Sequence, residues 1–215
     1  APSTTVLDGK YYVIGDYNGE KSVEIYDPMS NSWSEGVSMP VKVHHCGAVT
    51  YEGKIYVVGN DRVIVFDPLT NSWELKAVCG LTSYGTALAI YENRIWSFNK
   101  EGVESYDPHT DTWQTEASLS VNREFGTAWV YQNKLYFACG RIANSSPFSL
   151  IETYAPKSRE WVTLGEFTDK RSVLDSVVIN DRVYLVGGAK TGLFLNINLN
   201  NFLSINLVVL YLGAM

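Results

Sequence analysis

Tyr106-Asp107-Pro108-His109-Thr110-Asp111-Thr112-Trp113 is the stretch on which the fold turns, because its frame recurs along the chain. Tyr26-Asp27-Pro28 reaches Trp33 at the same interval of seven positions, as do Phe66-Asp67-Pro68 to Trp73 and Tyr154-Ala155-Pro156 to Trp161. A second series runs beside it, in which a short polar turn is followed by a basic residue and an apolar run. Its members are Asp8-Gly9-Lys10, Glu52-Gly53-Lys54, Glu92-Asn93-Arg94, Gln132-Asn133-Lys134 and Asn180-Asp181-Arg182. Every frame tryptophan precedes the next basic residue by 21 positions, while the step from basic residue to aromatic takes 16, 12, 12 and 20 positions. All length variation therefore falls in one connection per repeat.

Each repeat reads as four strands. The first ends at the polar turn, and the second follows the basic residue, as in Lys54-Ile55-Tyr56-Val57-Val58-Gly59. The third ends at Asp-Pro and the fourth carries the tryptophan. Tyr, Val, Ile and Trp favour strands, and the Gly, Asn and Asp pairs between them are hairpin signals. Asp followed by Pro suits the opening of a type I turn. No helical period is sustained, so the chain reads as all-β. Four short strands cannot bury both faces of their sheet alone, whereas stacking successive sheets radially does so and protects their edges. Tryptophan-to-tryptophan periods of 40, 40 and 48 residues then indicate a β-propeller.

Composition bounds the chemistry. The chain has 215 residues, 46% of them hydrophobic, and a net charge of −6, which describes a soluble domain able to build a core. An acidic balance argues against nucleic acid as a partner. Three distant cysteines, Cys46, Cys79 and Cys139, suit a reducing, cytoplasmic setting better than a disulfide scaffold. His44-His45-Cys46 is the densest group of potential metal ligands, but adjacent strand residues point to opposite faces, so no metal site is expected. No nucleophile–base motif and no phosphate-binding glycine loop is present, and neither a cofactor nor an enzymatic activity is expected.

The Tyr-Asp-Pro-x4-Trp spacing, together with an apolar strand ending in glycine, resembles the kelch repeat, most fully at Arg182-Val183-Tyr184-Leu185-Val186-Gly187-Gly188. Trp-Asp and Gly-His dipeptides, the marks of the WD-type propeller, are absent from the sequence. The double glycine reads Gly15-Asp16, Gly59-Asn60, Phe98-Asn99 and Cys139-Gly140 elsewhere, and Ala155 replaces the turn aspartate. The resemblance covers residues 1–190, as units of about 1–40, 41–80, 81–120 and 121–168 with a partial unit at 169–190. Four units and part of a fifth fall short of the usual six-bladed kelch ring, so an incomplete propeller is expected, a fragment or a truncated form. Residues 191–215 form an atypical uncharged tail. It admits three readings: a loosely packed terminus, a strand pair completing the fifth blade through the alternation Leu195-Asn196-Ile197-Asn198-Leu199, or a membrane anchor opposed by its asparagines.

Trp33, Trp73, Trp113 and Trp161 occupy one equivalent slot and are expected to pack between blades, while the basic residues after the hairpin turns are expected to be solvated. Recognition is placed on the face bearing the variable loops. The kelch resemblance implies particular positions there. The arginine opening a first strand is matched by Arg123 and Arg171, with His44 beside the corresponding Val43, and Ser83 in the next unit. The residue after the double glycine is matched by Tyr17 and Arg141, with Lys100 as a basic counterpart. The serine before Val-Glu of the third strand is matched by Ser22, and Arg62 takes that place in the following repeat. A basic and aromatic pocket of this kind selects a protein or peptide ligand, acidic by charge complementarity. Kelch domains are often the substrate-binding part of cullin-type ubiquitin ligase adaptors, with a BTB or F-box module upstream, and the resemblance implies that role. An actin-associated cytoskeletal protein and a sugar-handling propeller enzyme are the alternatives.

Overall fold

The computed structural model describes residues 2–16, 20–143, 145–189 and 207–210. By backbone contacts the chain forms two compact units, Ala1–Ser97 with Glu104–Thr115, and Phe98–Val103 with Glu116–Met215. Among the described residues the ordered elements are strands and turns.

The first sheet joins β1 (Ser3–Leu7), β2 (Lys10–Ile14), β3 (Val23–Asp27) and β4 (Ser32–Glu35) in sequence order. The second holds β5 (Gly47–Tyr51), β6 (Lys54–Asp67) and β7 (Ser72–Ser83). Here β6 serves as both middle strands: Lys54–Val58 pairs with β5 and Asn60–Asp67 with β7, the partner changing where Asn60 adopts φ 59°. The third sheet is β8 (Ala87–Tyr91), β9 (Arg94–Phe98), β10 (Val103–Asp107) and β11 (Thr112–Thr115). The fourth is β12 (Thr127–Tyr131), β13 (Lys134–Ala138), β14 (Leu150–Ala155) and β15 (Glu160–Glu166). The fifth pairs β16 (Ser172–Ile179) antiparallel with β17 (Arg182–Ala189), and β18 (Leu207–Leu210) adds to β17 in parallel. Of the tail, only β18 lies within the described residues, so the three readings of 191–215 mostly fall outside them.

The two turn types follow from their residues. Each first hairpin places both central residues at positive φ, as at Asp8 and Gly9, Glu92 and Asn93, or Asn180 and Asp181. That is the type I′ geometry, whose twist matches the strands it joins. In the second turn, proline has no N–H, and the preceding aspartate accepts one from two residues ahead: Asp27 from Met29 at 2.8 Å, Asp67 from Leu69 at 2.9 Å and Asp107 from His109 at 2.9 Å. The other oxygen of each carboxylate meets the basic residue of the neighbouring strand. Lys10 pairs with Asp27 at 3.3 Å, Lys54 with Asp67 at 2.8 Å and Arg94 with Asp107 at 3.3 Å. The expectation of merely solvated basic residues is thus corrected: they clip one hairpin to the next. In the fourth unit Ala155 replaces the aspartate, and Lys134 has no such carboxylate opposite it.

Packing alternates with the strand period. In the first unit, Leu7, Tyr12, Ile14 and Val23 of the first sheet lie against Ile55, Val57, Ile64 and Phe66 of the second. The other face of the second sheet, with Tyr56, Val58, Val63 and Val65, packs on Ile95 and Tyr106. In the second unit, Trp129, Tyr136, Ala138 and Ile151 pack on Val183 and Leu185. Three tryptophans stitch such layers by donating Nε1–H to a carbonyl of an earlier repeat: Trp73 to Val37 at 2.7 Å, Trp113 to Ala77 at 3.3 Å and Trp161 to Ala117 at 3.0 Å. The acceptor is each time the residue four positions after the preceding frame tryptophan. Trp33 departs from the set. It is 61% exposed.

Candidate functional site

The variable connections are knitted to one another at one end of the sheets in each unit. In the first unit, Met39 N–H donates to Lys21 O at 2.9 Å, Lys21 Nζ to Pro40 O at 2.6 Å and Asn60 Nδ2 to Lys42 O at 2.8 Å. Asp16 and His44 form a backbone bridge. These bonds join the loop between second and third strands to the segment entering the next sheet. In the second unit the same relation holds between Asn122 Nδ2 and Glu101 O at 3.3 Å, and between the backbones of Glu124 and Arg141 at 2.9 Å in both directions.

Arg123, read from the sequence as a partner-binding residue, is fully buried. Its Nε donates to Cys139 O at 2.7 Å, Nη1 to Val121 O at 2.9 Å and Nη2 to Glu152 Oε2 at 2.7 Å. The guanidinium also stacks over Phe137 and Phe148. This corrects the expectation, because every edge of the fork faces protein and none is left for a ligand. Arg171 is buried too, with Nη1 donating to Gly187 O at 2.6 Å and Nη2 lying 3.9 Å from Asp169. Cys139 and Gly187 are equivalent positions, both in the left-handed region, with φ 62° and 77°. The two arginines thus do the same work, holding the carbonyl of the residue that turns the chain out of the second strand. The corresponding Val43 is a buried core residue.

The remaining positions are accessible in varying degree. His44 and Ser22 are exposed. Arg62 is half-buried and bonded to Asp61, with Nε to Oδ1 at 3.0 Å, while Lys42 pairs with Glu20 at 3.1 Å, so the cations of this patch are matched by neighbouring carboxylates. Lys100 and Arg141 lie 3.8 Å and 3.9 Å from the two oxygens of Glu124, a carboxylate that is itself buried. Arg141 also covers the ring of Phe125, 4.8 Å from guanidinium carbon to centroid. Tyr17 and the side chain of Ser83 lie outside the described residues.

Sequence reasoning missed the residues two positions beyond the arginine slot. His45, Gly85, Phe125 and Val173 are equivalent, and all have positive φ: 45°, 65°, 57° and 60°. Only one is glycine, and for a bulky or β-branched side chain this region is strained by roughly 1–3 kcal/mol. Backbone bonds hold them there: His45 O accepts from Gly85 N–H at 3.1 Å, and Phe125 O from Val173 N–H at 2.8 Å. The strained residues carry side chains to the variable end, where His45 meets Tyr84 edge-on at 4.5 Å and Phe125 lies under Arg141. Gly85 was the available signal, a glycine at the slot that elsewhere holds larger residues. Gly140 completes the second patch. Its φ is +89°, and a Cβ there would sit 2.8 Å from Glu124 O, so only glycine lets the loop approach so closely.

Repeated antiparallel sheets, with variable connections knitted together at one end of the sheets within each unit, fit a β-propeller scaffold that presents loops. Comparison with known proteins narrows this. The model of the kelch motif matches residues 1–40. Human Kelch-like protein 6 is 44% identical over 57 residues, which are 25% of this chain and 9% of that protein. Human Kelch-like protein 35 is 33% identical over 60 residues, 26% of this chain and 10% of its own length. Spermatocyte protein spe-26 of Caenorhabditis elegans is 33% identical over 66 residues, 26% of this chain and 12% of that protein. The matched stretches thus span about a tenth of these relatives' length. The solved structure of YjhT superimposes with a TM-score of 0.78 at 18% identity, covering 89% of this chain and 77% of that one, which speaks to the fold alone. Residues 1–40 thus carry a kelch motif, and the fold is that of a kelch-type β-propeller.

Among the described residues, no helix is long and apolar enough to cross a membrane, and no group of three or more His, Cys, Asp and Glu side chains converges as a metal site.

Proposed function

We propose that this protein is a recognition module that captures a partner protein non-covalently on the variable connections at the ends of its sheets. The observation that carries this reading is the set of strained, non-glycine residues there, His45, Phe125 and Val173, each held by backbone bonds of the scaffold. Strain is retained where surrounding structure over-determines it, and such positions cluster at binding sites. The surface they mark combines aromatic rings with a cation, Tyr84 against His45 and Phe125 under Arg141. Rigid aromatic and arginine side chains supply most of the energy of protein interfaces.

Arg123 and Arg171 act here as scaffold. The candidate contacts are Lys100, Phe125 and Arg141 in one unit, and Ser22, His44, Arg62 and Tyr84 in the other, with Tyr17 and Ser83 retained from the sequence. Likeness to Kelch-like proteins supports a finer reading, the substrate-recognition part of a cullin-type ubiquitin ligase adaptor working in the cytoplasm. An acidic partner would suit Lys100 and Arg141. Affinity capture from a lysate tests the surface: Lys100→Ala with Arg141→Ala is expected to reduce partner recovery at least tenfold. Lys10→Ala with Lys134→Ala, at the opposite end of the strands, should leave recovery unchanged. Equal recovery with both variants would overturn the assignment of the binding end.

A further inference from the structure

The turn between β14 and β15 lacks a group that its three equivalents share. In each of those, one aspartate carboxylate accepts backbone N–H groups of the turn and meets one cation. Asp27 accepts from Met29 and Ser30 at 2.8 and 3.4 Å, and Asp107 from His109 and Thr110 at 2.9 and 3.3 Å. Lys10, Lys54 and Arg94 supply the cation. Ala155 stands at this position in sheet four, and its methyl group accepts nothing.

The backbone around Ala155 is nonetheless the same. Ala155 pairs with Glu160 as Asp107 pairs with Thr112, and Arg159 has φ 56° where Asn31, Asn71 and Asp111 have 51°, 49° and 53°. Arg159 N–H donates to Ala155 O at 2.8 Å, which closes the turn. The N–H groups of Lys157 and Ser158 therefore occupy the places of those of His109 and Thr110. The pairing of Tyr136 with Thr153 continues outward to Lys134 and Ala155, so Lys134 stands where Lys54 and Arg94 meet their aspartates.

Charge at the tip differs as well. It reads Lys157-Ser158-Arg159, against Met29-Ser30-Asn31, Leu69-Thr70-Asn71 and His109-Thr110-Asp111. Lys134, Lys157 and Arg159 are exposed, and among the described residues no carboxylate oxygen comes within 4.0 Å of any of them. Glu160, opposite Ala155, is the one acidic residue of this turn. In the other repeats a single cation suffices for a single carboxylate. Three cations against one carboxylate match a more highly charged anion, and a phosphate group carries about −1.5 to −2 near neutral pH with several strong acceptor oxygens.

We infer that the Ala155 turn is a binding site for a phosphate group, as the free ion or on a small phosphate ester. The N–H groups of Lys157 and Ser158 and the ammonium of Lys134 take the roles they have around aspartate elsewhere, and the side chains of Lys157 and Arg159 flank the anion. Successive N–H groups in a turn form an anion-binding concavity of this kind. The site lies at the end of sheet four away from the variable connections, so it is separate from the surface proposed for partner capture.

Amide NMR of the full chain, titrated with inorganic phosphate at neutral pH and constant ionic strength, tests this. Saturable shifts are expected at Lys157 and Ser158, and none at Met29, Ser30, Leu69, Thr70, His109 or Thr110, whose turns already hold a carboxylate. Lys134→Ala should weaken the affinity by about threefold, the worth of one exposed charge pair. Ala155→Asp is the decisive variant: it restores the residue of the other repeats and should abolish the response without lowering Tm. Glycerol phosphate binding more tightly than inorganic phosphate assigns the site to an ester, and the reverse order to the free ion. Shifts of equal size in all four turns, shifts that survive in Ala155→Asp, an equal response to acetate, or no saturable shift at Lys157 and Ser158 would each overturn the inference.

Discussion

Arg123→Ala should be among the most damaging single substitutions in this protein. Arg123 and Glu152 are both fully buried, and Nη2 donates to Oε2 at 2.7 Å. The second carboxylate oxygen accepts Ser120 N–H at 2.8 Å, so Glu152 fastens the chain where it enters the fourth sheet. Truncation removes three hydrogen bonds, strips Cys139 O and Val121 O of their donors, and leaves the Glu152 charge without its cation. Removing one partner of a buried ion pair costs about 3–5 kcal/mol, because the surviving charge stays desolvated. For a chain of this length that corresponds to a fall in Tm of about 6–20 °C. Urea denaturation at neutral pH, followed by tryptophan fluorescence, measures the loss directly. Replacing the pair by Arg123→Met with Glu152→Leu should recover much of it, since apolar side chains leave no orphaned charge. A loss below about 1 kcal/mol for Arg123→Ala would refute the buried-pair account and return the guanidinium to the surface.

Three further outcomes are expected. Trp73→Ala should destabilise by about 2–4 kcal/mol, given its half-buried ring and its bond to Val37 O, while Trp33→Ala should cost less than about 1 kcal/mol; equal losses would contradict the packing difference. Burial pushes the Cys46 thiol up to about 11 and that of Cys139 to about 12, so neither ionises near neutrality. A thiol-specific disulfide reagent at pH 8 should therefore label both only upon unfolding, and fast native labelling would contradict their burial. In the turns, backbone N–H donors at Met29 and His109 hold Asp27 and Asp107 below the usual carboxylate range, and the Lys54 ammonium does so for Asp67. A depressed folded-state pKa gives stability that is present above the unfolded value, about 3.9, and is lost as pH falls through the folded one. Melting temperature should drop below about pH 4, and less steeply in the triple Asp27→Asn, Asp67→Asn, Asp107→Asn variant; parallel curves would exclude these carboxylates.

The sheets were legible because hairpin chemistry is local. Positive φ at Glu92 and Asn93, or at Asn180 and Asp181, is written in the residues themselves, and the fixed interval from Tyr106 to Trp113 leaves no room for another register. The lysine-to-aspartate clips were visible only indirectly, in the loss of aspartate at Ala155. Arg123 misled because sequence states that a fork of donors is present but not where its acceptors are. Those acceptors are backbone carbonyls at Cys139 and Val121 and a carboxylate 29 positions away, brought together by the sheet. The strained slot at His45, Phe125 and Val173 was hidden for a related reason: their side chains give no hint of a left-handed backbone, which tertiary hydrogen bonds impose.

Hydrogen exchange of the protein with and without its captured partner tests the central claim most directly, because it reads both ends of the sheets in one experiment. Slowed exchange is predicted in the variable connections, around 84–86, 99–102, 122–126 and 139–149, with no change in the turns at 27–31, 67–71 and 107–111. Protection at those turns, with the variable connections unaffected, would contradict it.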